Sequence, residues 1–182
     1  MFLAHLPAGY LLSRALLSLP DTQRLPQASR CRLLACGLIA SILPDLDLLY
    51  LYCFSEHGFN HRAFPTHWPL LWLALFLSVA LLFYGLRQRE WQWHNLFLLA
   101  NVQLHFVLDT IAGPIRWLAP FDQTRFAWMH VPRQPGWWVW SYVSHVSALI
   151  EVLIIAAASW LAWRTVTQHR APVSYKQGAS HA

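Results

Sequence analysis

His105 and Asp109 stand four residues apart in an otherwise apolar stretch, and Asp45 and Asp47 flank Leu46 inside the apolar run that starts near Leu33. Ionisable side chains in such surroundings are expensive unless they bind or react with something, so they are the residues to explain. With His5, His61 and His67 they make a donor set of imidazoles and carboxylates without a well-placed thiolate. That set suits a divalent metal, Zn²⁺ first, with Mn²⁺ or Fe²⁺ as alternatives. Cys31, Cys36 and Cys53 form no CxxC pair, and their odd number argues against a disulfide framework; they read as packing residues.

Spacing adds detail. Residues at i and i+4 share a helix face and can grip one ion, as His105 and Asp109 would, with Asn101 one turn further along the same stripe. Asp45 and Asp47 do not, because two residues along a helix is a rotation of roughly 200°. If both reach one centre, the backbone between them must be broken. Pro44 supplies the cause: it removes a backbone donor, clashes with the preceding turn and pushes Leu43 away from helical geometry. Non-helical backbone at membrane depth is tolerated only where protein or a water-filled cavity surrounds it, so a polar pocket is expected there.

The elements that must position these residues are membrane helices. Of the 182 residues 57% are hydrophobic and 12% charged, with 11 tryptophans, which is more apolar than a soluble domain of this length. The expected fold is an all-α integral membrane helical bundle with about four to five transmembrane helices. One domain over residues 1–170 would be followed by a disordered polar tail, 171–182. Residues 68–86 are the cleanest span, about long enough for a hydrocarbon core of roughly 30 Å. Residues 31–53, 95–112 and 143–163 are spans interrupted by polar groups. Residues 2–19 are read as a retained fifth helix; a cleaved signal peptide is the competing reading, weakened by Arg14 and by the lack of a basic start.

Basic residues orient the bundle, since cytoplasmic loops carry the excess of Lys and Arg. In the five-helix arrangement Arg24, Arg30, Arg32, Arg87, Arg89, Arg164, Arg170 and Lys176 fall on one side and Arg62, Arg116, Arg125 and Arg133 on the other, eight against four. Asp45, Asp47, His61, His67, His105 and Asp109 then gather toward the outer face, and His5 joins them if the first helix runs from outside to inside. The loop over 113–142 reads as an interfacial segment anchored by aromatic residues such as Trp137, Trp138 and Trp140. A net charge of +5 is dispersed over membrane loops, so no nucleic-acid partner is expected.

His5 within an N-terminal HLPAGYL, the PDLD segment at 44–47, His61-Arg62 followed by Thr66-His67, and His105xxxAsp109 appear in order. Together they resemble the bacterial inner-membrane family described as LexA-regulated, membrane-bound, metal-dependent hydrolases. The resemblance covers most of residues 1–125 and implies an inner-membrane metal hydrolase without naming a substrate. A more distant similarity is to the zinc-dependent phospholipase C and S1/P1 nuclease group, on His5, one of Asp45 or Asp47, one of His61 or His67, then His105 and Asp109. The HxxxE pair of that group is not matched, because His145 and Glu151 are six residues apart. One or two metals are therefore expected rather than three.

The resulting expectation is a metal site drawn from His5, Asp45, Asp47, His61, His67, His105 and Asp109. Asp47 or Asp45 would accept the proton of an activated water, and Arg62 would hold an anionic substrate oxygen. Membrane lipids are the expected surroundings, and a lipid or lipid-linked ester or phosphoester the expected substrate. Two rivals are a metal or proton transporter, which needs a polar path to the far side, and a purely structural membrane protein.

Overall fold

A computed structural model describes residues 3–54, 62, 64–129 and 143–170. His61, Trp137, Trp138, Trp140 and the tail lie outside the described residues. The chain is all-helical: among the described residues the only extended pairing is an isolated bridge between Ile115 and Phe126.

The helices alternate in direction, so that one end of the bundle collects the unusual residues. Helix α1 (His5–Leu16) runs away from that end; a single turn, α2 (Pro20–Gln23), leads to α3 (Gln27–Ile42), which returns to it. A 3-10 turn, Leu43–Leu46, then leads into a short α4 (Asp47–Phe54). A second 3-10 turn, Pro65–His67, opens α5 (Pro69–Gly85), which runs outward again. Helix α6 (Arg89–Ala112) comes back and ends beside Asp109, and α7 (Val146–Arg170) begins near the start of α1.

Proline sets most of these boundaries. Pro20 and Pro69 occupy first-turn positions, where the missing amide donor is not needed. Pro44 stops α3, and the expected break between Asp45 and Asp47 takes the form of the 3-10 turn, a tighter helix that rotates the two carboxylates differently from a continuous α-helix.

Only two described helices are long and apolar enough to cross a membrane, Arg89–Ala112 and Val146–Gln168, with Pro69–Gly85 apolar but shorter. This is fewer than the four to five expected. The reason is local: α1 holds only 12 residues before the Leu19–Pro20 junction, and α3 holds 16 between Pro26 and the Pro44 turn. At 1.5 Å per residue these rise about 18 and 24 Å.

The outer surfaces are apolar. On α5, Leu81 is 73% exposed, and on α7, Trp163 is 66% exposed, with Leu149, Val152, Leu153 and Trp160 also outward. So large a contiguous apolar surface suits a lipid or protein partner rather than water. Inside, Ala40, Phe76, Val102 and Phe106 pack as one cluster and Leu17, Leu33 and Phe97 as another nearer the far end. Cys31 and Cys53 face outward instead of packing.

Small residues let α1, α3 and α6 approach closely, the usual device where lipid removes a hydrophobic drive between helices. A Cβ at Gly9 would lie 2.5 Å from Ser41 Cβ, and one at Gly37 would lie 2.1 Å from Ser13 Oγ and 2.9 Å from Asn101 Nδ2. Asn101, fully buried, donates to Ser13 Oγ (3.2 Å) and to its own helix at Phe97 O (2.8 Å). Helices α5 and α6 are joined by Asn95 Nδ2 donating to Phe76 O (2.9 Å) and Gln103 Nε2 to Pro69 O (3.1 Å).

The turn between α5 and α6 is closed by Gln88 N donating to Phe83 O (2.9 Å) and Arg87 N to Tyr84 O (3.1 Å). Such a closure places one residue in the left-handed region, ordinarily glycine. Here it is Arg87, at φ 56°, which costs about 1 kcal/mol or more relative to glycine.

Past α6, residues 113–129 fold back on it. Trp128 N donates to Thr110 O (2.8 Å), Trp117 Nε1 to Thr110 Oγ1 (3.0 Å), and Ile115 and Phe126 exchange backbone bonds of 2.9 Å. The described half of the expected interfacial loop is therefore pinned to the helix.

Candidate metal centre

Four elements bring His5, Asp45, His67, His105 and Asp109 to one point. Helix α1 contributes His5 from its first turn, where Glu151 of α7 accepts hydrogen bonds from the amides of Leu3 and Ala4, the latter at 2.8 Å. These amides have no partner within the helix, and a carboxylate at a helix start also meets the positive end of its dipole. Glu151 is thus a buried cap that fixes where α1 begins and, with it, His5.

Helix α6 contributes His105 and Asp109, 1% and 2% exposed. His105 Nδ1 lies 2.9 Å from the carbonyl oxygen of Ser41. Ser41 sits in the last turn of α3, where carbonyls lack intrahelical donors. A carbonyl can only accept, so Nδ1 carries the proton and Nε2 presents its lone pair to the interior. That Nε2 is buried without a hydrogen-bond partner among the described residues. It lies 3.6 Å from Asp45 Oδ1 and 4.0 Å from Asp109 Oδ2.

The two 3-10 turns contribute the rest. His67, fully buried, points Nδ1 at Asp47 Oδ2 (3.1 Å) and Nε2 at Asp45 Oδ1 (3.4 Å). Asp47 Oδ2 also accepts from Thr66 Oγ1 at 2.7 Å, and Trp72 Nε1 donates to Thr66 O at 2.8 Å. The two carboxylates of the PDLD turn therefore lie on opposite sides of one imidazole. Asp45 is at the convergence point, and Asp47 lies behind His67 and outside either candidate ligand group. Either nitrogen of His67 can donate, Nδ1 to Asp47 or Nε2 to Asp45; with the proton on Nδ1, the Nε2 lone pair faces Asp45.

The rings pack on one another: His5 and His105 stack with centroids 3.9 Å apart and planes 17° apart, and the edge of His67 meets His105 at 5.7 Å. Phe106 closes the apolar side, 5.6 Å from His105 and 6.2 Å from His67. His5 is thus brought to the same end as Asp109, its Nε2 3.3 Å from Oδ1.

Arg62 covers Asp109 with a two-pronged contact, Nε to Oδ2 at 3.1 Å and Nη2 to Oδ1 at 3.0 Å. Its guanidinium rests against Gly113, where a Cβ would fall 1.7 Å from Nη1. The fork expected to hold a substrate oxygen is here turned onto a carboxylate.

Two groups of donors meet the separations an ion requires: His5, His105 and Asp109, and Asp45, His67 and His105. Zinc bonds of about 2.0–2.1 Å in tetrahedral array set neighbouring donor atoms roughly 3.3 Å apart. The separations of 3.4 and 3.6 Å from Asp45 Oδ1 to the two imidazoles fit that spacing. With His67 protonated on Nδ1, the Nε2 atoms of His67 and His105 converge on the Asp45 carboxylate in a buried place, an arrangement that fits a cation.

His145 bonds locally to Ser147 (3.0 Å) and stands apart from this group, as does His94, whose Nδ1 meets Glu90 O at 3.0 Å. The residues not singled out from sequence are Ser41, which acts through its carbonyl, and Gly113, which makes room for Arg62. Only Ser41 had a signal, its place one turn before a helix-breaking proline, Pro44.

A family model described as YdjM inner membrane protein matches residues 1–171. No curated protein and no solved structure matches the chain. The likeness to the phospholipase C and S1/P1 nuclease group rests on the motifs alone.

Proposed function

The chain belongs to the YdjM family of inner membrane proteins, and from that premise we propose that it is a multi-pass, membrane-bound, metal-dependent hydrolase acting on an ester or phosphoester of a lipid or lipid-linked substrate. The reading is carried by the convergence of His67 Nε2 and His105 Nε2 on Asp45 Oδ1, at 3.4 and 3.6 Å. Asp45, His67 and His105 would hold the ion, with His5 and Asp109 beside them as the second donor group. One ion per chain is expected: His105 belongs to both donor groups, and with Nδ1 bound to Ser41 it has a single nitrogen to give.

Zinc is the first choice for these donors. When bound, it would supply Lewis acidity and a nucleophile at neutral pH. Asp47 orients His67 and raises its basicity as a ligand. Asp45, 27% exposed against 7% for Asp47, is the carboxylate more open to an incoming water, and its oxygen other than Oδ1 would accept the proton. Arg62, 20% exposed at the rim, neutralises Asp109 and is the cation nearest an arriving anionic oxygen.

The five-helix alternation supports a bundle of four to five spans in which α1 and α3 cross with the help of their flanking turns. By the excess of basic residues at the far end, the site opens toward the outer face. A transporter needs a polar route past the site, whereas Gly9, Gly37, Ser13 and Asn101 close the space beneath it by direct contact.

The test is hydrolysis of a phosphodiester chromogen and of phospholipid by the purified chain, chelated and then resupplied with zinc. Activity that returns with zinc and is lost in Asp45→Asn supports the reading. Equal rates in the chelated, resupplied and variant proteins contradict it.

A further inference from the structure

At the opposite end of the bundle from the histidines, the turn joining α5 to α6 borders an open depression of about 440 Å³ lined by Tyr84, Gly85, Arg87, Arg89 and Gln92. No carboxylate is among these lining residues. Glu90, between the two arginines in sequence, is drawn to the neighbouring side by Arg32 Nη2 (2.8 Å) and Ser29 Oγ (3.3 Å). Arg89 reaches Asp21 Oδ2 at 3.5 Å with its side chain 78% exposed. Arg87 has no charged partner among the described residues, and it holds a left-handed backbone, φ 56°, in which glycine would sit without strain. A long cation therefore stands where the backbone alone would favour glycine.

The surroundings specify the ligand. One turn back along α5, Leu81 and Leu82 are 73% and 57% exposed, and Leu86 beside Arg87 is 59% exposed. A cationic rim therefore stands directly over an apolar wall, with Tyr84, 76% exposed, at the boundary where amphipathic rings settle. Free phosphate would use the rim alone; a phospholipid uses both. We propose that this turn binds the phosphate of an anionic phospholipid from the leaflet that faces it, the cytoplasmic one by the excess of basic residues there. The proposal rests on the membrane orientation given above and not on the hydrolase reading.

The experiment is native mass spectrometry of the full chain in detergent with equal amounts of phosphatidylglycerol and phosphatidylcholine. Arg87→Gly is the informative variant, because glycine suits the backbone and removes only the side chain. Wild type is expected to retain phosphatidylglycerol preferentially, and Arg87→Gly to lose roughly fivefold of that preference, the share of one surface arginine. Arg125→Gln, in the loop at the other end, should leave it unchanged. No preference in wild type, or an unaltered preference in Arg87→Gly, overturns the proposal. Metal content measured on the same samples separates this outcome from any failure of the hydrolase reading.

Discussion

Gly113→Ala should act on Asp109 through Arg62. The backbone at Gly113 is extended, φ −174°, so alanine is conformationally acceptable and any effect comes from its methyl group. That methyl would stand 1.7 Å from Arg62 Nη1 and 2.9 Å from Cζ. Ordinary contact needs about 3.5 Å or more between such atoms, so the guanidinium must withdraw by close to 2 Å. Its bonds to Asp109, now 3.0 and 3.1 Å, then both break. Asp109 is 2% exposed and would lose its guanidinium partner, leaving a buried carboxylate that faces His5 and His105. Losing one partner of a buried pair costs about 3–5 kcal/mol. The lower end applies here, because Arg62 is 20% exposed and His5 still faces Oδ1. At roughly 2–4 °C per kcal/mol for a chain of this size, the melting temperature in detergent should fall by about 6–12 °C. Arg62→Gln should cost about the same, and the double variant little more than either alone, since both remove one interaction. A neutral Gly113→Ala, or a double variant whose losses simply add, would refute this reasoning.

Three further outcomes follow from the geometry. Asp47→Asn, which weakens the support behind His67 without touching the convergence point, should reduce zinc affinity by about 10–100-fold in a competition titration, whereas Asp45→Asn should reduce it more; equal losses would put Asp47 among the ligands. Gly37→Ala, whose Cβ would meet Ser13 Oγ at 2.1 Å, should destabilise by about 1–3 kcal/mol in thermal unfolding, and an unchanged midpoint would deny the close approach of α1 and α3. Glu151→Ala strips the cap from the amides of Leu3 and Ala4 and should lower stability by about 1–3 kcal/mol while also weakening metal retention, because His5 begins the helix that the cap anchors.

Helical character and the location of the polar cluster were legible in residue spacing. His105 and Asp109 read as one face of a helix, and Pro44 read as a break that could bring Asp45 near them. What spacing could not say is that the two carboxylates would take opposite sides of His67: the 3-10 turn sets that, and its rotation depends on packing against Pro65–His67. Arg62, a loop arginine, showed its charge in the sequence but not its carboxylate partner. Its fork on Asp109 depends on the bare backbone of Gly113, on the far side of α6's end. The division of the second apolar segment was hidden for a related reason. Hydropathy joins residues 31–53 into one segment, whereas proline divides it into α3, a turn and α4.

The most direct test of the central claim is metal stoichiometry by inductively coupled plasma mass spectrometry on detergent-purified, chelator-stripped and zinc-resupplied protein, beside folded His105→Ala and Asp45→Asn variants. Wild type should carry close to one ion per chain, and both variants should lose it. Wild type that takes up no metal, or variants that keep it in full, would contradict that claim.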